Sequence, residues 1–326
     1  AVFHDALDLY GDDLGAEQVP DIIDALARTE QRLRGLARSE QKARLREWIG
    51  QEKNAALQAD RFTYFSRLNF YLQTLRPSEQ RKSLIFETVE KVPPDQLDPE
   101  GIGQLAAALA EDYPRMAEDY LVRLEDEYPE SRHRIYGYYA RAVLLMNEAR
   151  FASARNQLAR FRAEAPLHPL AQEVALRYAE TLTQLARYEE SAEVLEGILR
   201  NRRAKGRPHA KALLALSRNA EAAGRIERAI PYAQRVYNVY RAYPELAADA
   251  YWMSAHPLEA IGDGVAAYRT LEEMLGDARI QALPIADEAF AKKKALLEAL
   301  PENALSEPEN PAETAKVKRS ETEVTP

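Results

Sequence analysis

Residues able to do chemistry are few and scattered along this chain. Ser39, Glu40, Gln41 and Lys42 have the S-x-x-K spacing in which a lysine primes a serine for acyl transfer. The companion motifs of that chemistry are absent, and the tetrapeptide falls on the polar face of a helical stretch. The five histidines, His4, His133, His168, His209 and His256, form no zinc-binding HExxH arrangement with each other or with acids. Gly262, Asp263 and Gly264 read as a hairpin turn rather than a phosphate cradle, and no P-loop or GxGxxG occurs. The absence of cysteine excludes disulfides, thiolate catalysis and Cys-ligated zinc. The sequence therefore assigns no catalytic, cofactor-binding or metal-binding residue, and predicts a non-catalytic protein without a cofactor.

The elements that carry these residues are helical. Charged residues make up 29% and hydrophobic residues 46% of the 326, with 13 glycines. Apolar side chains recur at three- and four-residue spacings almost throughout, the pattern of amphipathic helix. A formal net charge of −8 argues against nucleic acid as a partner, since that affinity comes from neutralising phosphates. No run reaches the roughly 18 apolar residues of a membrane span. The chain begins at Ala1 rather than Met, so a leader, an anchor or further sequence is expected upstream, and with it peripheral or lipid-anchored membrane association is left open.

One phrase returns. Ala149-Arg150-Phe151 is echoed by Ala186-Arg187-Tyr188 and Gly224-Arg225-Ile226, and the pattern continues to Gly264; the four final positions stand 37, 38 and 38 residues apart. A small residue follows each three places on (Ala154, Ser191, Ala229, Ala267), and another lies seven before each turn (Ala142, Ala179, Ser217, Ala255). Internal periods of this size mark stacked repeats. The pattern resembles the tetratricopeptide repeat (TPR), a helix-turn-helix unit. The resemblance implies an all-α fold, an α-solenoid of TPR-like repeats wound as a right-handed superhelix. It places Ala149, Ala186, Gly224 and Gly262 in the hairpin turns, Phe151, Tyr188 and Ile226 at the starts of second helices, and the small residues where helices cross. The period exceeds the usual 34 or so residues by about one helical turn, and Pro114 and Gly264 replace the ring. HEAT-like solenoids, with repeats of about 40–47 residues, are the structural alternative.

The domain reading follows: an N-terminal helical cap over 1–60, a degenerate helical hairpin over 61–97, the repeat array over 98–300, and an acidic, proline-rich tail over 301–326, expected to be disordered.

Two surfaces are candidates for a partner. In the TPR family first helices line a groove that holds peptides or partner helices. Carried over by register, that groove comprises Ile102, Tyr136, Tyr139, Met146, Leu176, Glu180, Leu214, Arg218, Trp252 and His256; the same apolar residues equally suit half-buried contacts between repeats. The places where some members clamp a peptide carboxylate with Lys and Asn carry other residues here, so that specificity does not transfer. The second surface is the acid-free basic run Arg200, Arg202, Arg203, Lys205 and Arg207, a solvated helix end or a docking patch for an acidic partner or lipid headgroup.

The expected function is a non-catalytic helical-repeat scaffold binding a protein or peptide. The longer period resembles bacterial envelope members of the family, which implies a periplasmic or outer-membrane assembly; a cytoplasmic location is the alternative. The other reading is an accessory TPR domain of a larger regulator or enzyme.

Overall fold

The computed structural model describes residues 38–75, 78–201, 206–301 and 304–305. Fifteen α-helices, and no strand, lie among these residues. Two compact units divide the chain, residues 1–174 and 175–326. The array is all-α and built of TPR-like hairpins, in agreement with the sequence pattern.

The first unit contains α1 (Arg38–Gln58), α2 (Phe62–Leu75), α3 (Ser78–Lys91), α4 (Pro99–Leu109), α5 (Pro114–Glu127), α6 (Arg134–Asn147) and α7 (Phe151–Glu164). Helix α4 starts as its sequence dictates. Pro99 occupies the first turn and Asp98 Oδ1 accepts a hydrogen bond from the Gly101 backbone N–H at 2.8 Å. Asp98 also accepts from Arg67 on α2 at 3.0 Å, and the buried Glu100 carboxylate lies 3.7 Å from the same guanidinium. Burying this cluster is tolerable because the cation meets two carboxylates.

Helix α8 (Ala171–Gln184) contains the boundary between units. The second unit continues through α9 (Tyr188–Arg200), α10 (Arg207–Ala222), α11 (Ile226–Val239), α12 (Pro244–Ala260), α13 (Gly264–Leu275), the short α14 (Ala278–Gln281) and α15 (Ile285–Ala299).

The recurring phrase is a helix-ending turn. Ala149, Ala186, Gly224 and Gly262 all have positive φ, at 57°, 58°, 72° and 86°. In each turn the following N–H reaches back to the carbonyl five residues earlier: Arg150 to Leu145, Arg187 to Leu182 and Arg225 to Ala220, all at 2.8 Å, and Asp263 to Leu258 at 2.9 Å. This left-handed cap satisfies carbonyls that the helix end would leave unpaired. It reverses the chain in three residues, so the next helix packs antiparallel on the last.

The small residues meet where the helices cross. Ala142, Ala154, Ala179, Ser191, Ser217 and Ala229 are all fully buried. Asn219 joins consecutive hairpins of the second unit: its Nδ2 donates to the Tyr188 carbonyl at 2.9 Å, and its Oδ1 lies 3.0 Å from the Thr183 hydroxyl. In the first unit Asn147 Nδ2 donates to the Ala110 carbonyl at 3.3 Å.

The same turn recurs where the sequence register assigned none. Asp60, between α1 and α2, has φ 55°, with the Arg61 N–H bonded to the Ala56 carbonyl at 2.9 Å. At the other end Gly264 stands where the ring would be. A side chain there would meet Leu300 Cδ2 at 3.3 Å, since α15 packs back along α13. The tail from 306 onward lies outside the described residues.

Candidate partner-binding surface

The first-helix positions separate into buried and accessible sets. In the first unit Ile102 is fully buried, and Tyr136 and Tyr139 are each 8% exposed. Tyr136 packs so closely on α4 that a Cβ at Gly103 would come within 2.9 Å of its own Cβ. Its hydroxyl accepts from Gln104 Nε2 at 3.3 Å, and its ring meets His168 edge-on at 5.1 Å. Met146 is half-buried. Tyr138, read as packing, donates to Glu164 Oε1 at 3.2 Å.

In the second unit Leu176 and Leu214 are core residues. Leu176 clusters with Ala212, Ala215 and Leu216 of the following first helix, and Leu214 joins the larger core with Leu246, Ala247 and Ala250. The helices that follow therefore cover the aliphatic members of the stripe. What remains accessible is polar and aromatic: Glu180 (3.6 Å from Arg177), Arg218, Trp252 and His256. Trp252 is half-buried and its indole meets the His256 ring edge-on at 4.7 Å.

Sequence reasoning missed Asp249, three residues before Trp252 on α12. Burial pushes its carboxyl above the ordinary range, against the opposing pull of the Arg218 guanidinium. The signal was available in the period, since Asp249 falls 38 residues after Lys211 on the same helix position. Glu259, one turn past His256, pairs with Lys292 at 2.6 Å. The first-helix face of this unit thus offers a cation, an indole, an imidazole and a partly buried carboxyl on α10 and α12.

The two described members of the basic run both face acids. Arg200 lies 3.6 Å from Glu196, while Arg207 pairs with Glu245 at 2.6 Å and stands over the Tyr243 ring at 5.8 Å. Arg202, Arg203 and Lys205 lie outside the described residues. Gly206 beside them has φ 92°, and a side chain there would reach within 2.7 Å of the Tyr243 hydroxyl.

An open crevice of about 720 Å³ in the first unit is lined by Pro114, Arg115, Glu118, Arg141 and Leu144, among others. Its central cation is committed: Arg141 donates to Glu118 and to Glu125, both at 2.7 Å. Among the described residues no group of three His, Asp or Glu side chains could hold a metal ion. No helix among them is long and apolar enough to cross a membrane.

No family model matches the chain. No curated protein matches it either. Among solved structures it is similar to the crystal structure of a variant of a Podospora anserina putative kinesin light chain with nearly identical TPR-like repeats. The two are 17% identical, with a TM-score of 0.45 over 56% of this chain and 96% of that one. The assignment of the fold rests on the hairpins themselves, on their turns and crossing residues.

Proposed function

We propose that the protein is a non-catalytic helical-repeat scaffold that holds a protein or peptide partner on the first-helix face of its second unit. The observation that carries the reading is the accessible set Arg218, Trp252 and His256. An indole left half-exposed beside an imidazole, on a face that also carries a cation, offers contact area at little entropic cost, the makeup of an interface hot spot. The aliphatic neighbours Leu176 and Leu214 are already used internally, so they support the surface without forming it. The repeat period, longer than the usual TPR, supports a place in a bacterial cell-envelope assembly, periplasmic or at the outer membrane.

The test is site-specific photo-crosslinking in cells from position 252, with Val122 of α5 as the exposed control. A discrete adduct from 252 and none from 122 is expected. Adducts of equal yield from both positions, or none from 252, would refute the reading. Fractionating those cells tests the envelope assignment independently.

A further inference from the structure

The last helix among the described residues, α15, carries an exposed apolar face. Phe290 on α15 stands 38 residues after Trp252, which follows Leu214 and Leu176 by 38 and 76. Leu214 and Leu176 are covered by the next hairpin, as their core clusters show, while Trp252 is half-buried. Among the described residues no hairpin follows Phe290, which is 53% exposed; Leu297, two turns on, is 48% exposed. Lys293 departs from the repeat pattern on this helix. It occupies, one period on, the place of the buried Ala255, Ser217 and Ala179, and a lysine there prevents another helix from crossing closely. Its ammonium instead turns back to Glu272 at 3.1 Å and over the Tyr268 ring at 5.0 Å.

The face is also charged in a self-complementary way. Asp287 and Lys294 lie on the same exposed side as Phe290, almost one helical turn before it and one after, with Ala291 beside the ring. Lys294 has a weak partner in the chain, Glu298 at 4.0 Å, with both side chains largely in solvent. Reversing the direction of such a helix exchanges its acid for its base. In an antiparallel pair with Phe290 at the two-fold axis, Asp287 of one copy falls opposite Lys294 of the other, twice.

The geometry points to a second copy of this chain as the occupant, with α15 packed on α15 of the partner subunit in an isologous, two-fold dimer. A single helix pair makes a small interface, so the dimer is weak and concentration-dependent. The inference is independent of the partner-binding surface on α10 and α12.

Sedimentation equilibrium of the full chain tests it, with wild type expected to shift from monomer to dimer across the micromolar range. Phe290→Glu should remain monomeric with an unchanged melting temperature, because the ring contributes little to the monomer's own core. Lys294→Asp should also be monomeric, and adding Asp287→Lys should restore the dimer by recreating both pairs in reverse. The chain has no cysteine, so Phe290→Cys provides a single reporter that should oxidise to a disulfide-linked dimer, whereas Val239→Cys should not. A wild type that stays monomeric leaves the face to a foreign helix and overturns the proposal. A dimer that survives Phe290→Glu, or a charge swap that fails to rescue, overturns it equally.

Discussion

The hydroxyl of Ser191 on α9 donates to the carbonyl of Ala179 on α8 at 2.8 Å, twelve residues away and fully buried. One hairpin later the roles reverse: Ser217 on the first helix donates to the carbonyl of Ala229 on the second at 2.9 Å, again twelve residues apart. The crossing therefore needs two small residues, and a hydroxyl on either one suffices to tie the helices.

This relationship separates two substitutions. Ser191→Ala keeps the close approach and removes a buried hydroxyl that donates to Ala179 and lies 2.9 Å from the Thr183 hydroxyl, so it should cost about 1–2 kcal/mol. Ala179→Trp forces the helices apart and should cost roughly 3 kcal/mol or more. Urea denaturation of both variants measures the difference. Equal effects would mean that the crossing is not a close contact.

The turns give a second prediction, in which alanine and glycine should behave oppositely to their helix propensities. Ala149 and Ala186 are exposed and left-handed, a conformation that costs a non-glycine residue about 1–2 kcal/mol. Replacing either with Gly relieves that strain and raises unfolded-chain entropy, for a net gain of about 0.5–1 kcal/mol. Gly224→Ala should destabilise by a similar amount, although a Cβ there meets nothing within 4 Å. Thermal unfolding of the three variants checks the signs. A loss on Ala186→Gly would show that the turn is not left-handed in solution.

Much of this was legible in the sequence, and the misses have physical reasons. The period located the turns and the crossing residues because small side chains are obligatory there. It missed the α1–α2 turn because that hairpin does not carry small residues at the equivalent positions. The positions 89 residues before Ala142 and Ala154 are Lys53 and Phe65, and the Lys53 ammonium stands over the Phe65 ring at 5.7 Å. A ring and a lysine fill the space that small residues close elsewhere, so a search for small residues passes it by. In the stripe, spacing showed which helix face each residue occupies, but not whether the following helix covers it. Leu214 and Trp252 hold the same repeat position, and only packing distinguishes the buried leucine from the half-exposed indole.

Two carboxylates should respond to pH in opposite directions. Burial raises Asp249, so the fold favours its neutral form; that stabilisation is present at low pH and lost as pH rises through the ordinary carboxylate range. Asp249→Asn should therefore be more stable than wild type at pH 7, with the advantage vanishing in acid. Burial would also raise Glu87, but hydrogen bonds from Lys53 and Lys91 outweigh it and hold the carboxyl below its usual value. Its contribution is present above the ordinary range and lost as pH falls through the lowered value. Glu87→Gln should be destabilised at pH 7 and approach wild type in acid. Melting temperatures between pH 3 and 7 test both, and a pH-independent offset in either variant would remove the assigned cause.

The last prediction concerns the partner. If the first-helix face of the second unit binds it, Trp252→Ala and Arg218→Glu should both weaken the complex far more than they lower the melting temperature, since Arg218 is exposed and the half-buried Trp252 gives only part of its area to the core it packs against. Leu214→Ala should do the reverse, costing about 2–5 kcal/mol of stability with little specific effect on affinity at temperatures where the variant is folded. Salt separates the contributions further. The loss from Arg218→Glu should shrink at high ionic strength, because an exposed charge is screened within about 10 Å at 0.1 M, whereas the loss from Trp252→Ala should persist. The basic run predicts a different pattern, in which reversing Arg202, Arg203 and Lys205 abolishes binding at low salt and substitutions on α10 and α12 do nothing. Isothermal titration of the crosslinked partner against each variant, at low and high salt, distinguishes the two surfaces. Wild-type affinity in Trp252→Ala, with loss confined to the charge reversal, would mean that the indole is only a repeat contact and that the partner docks on the basic run.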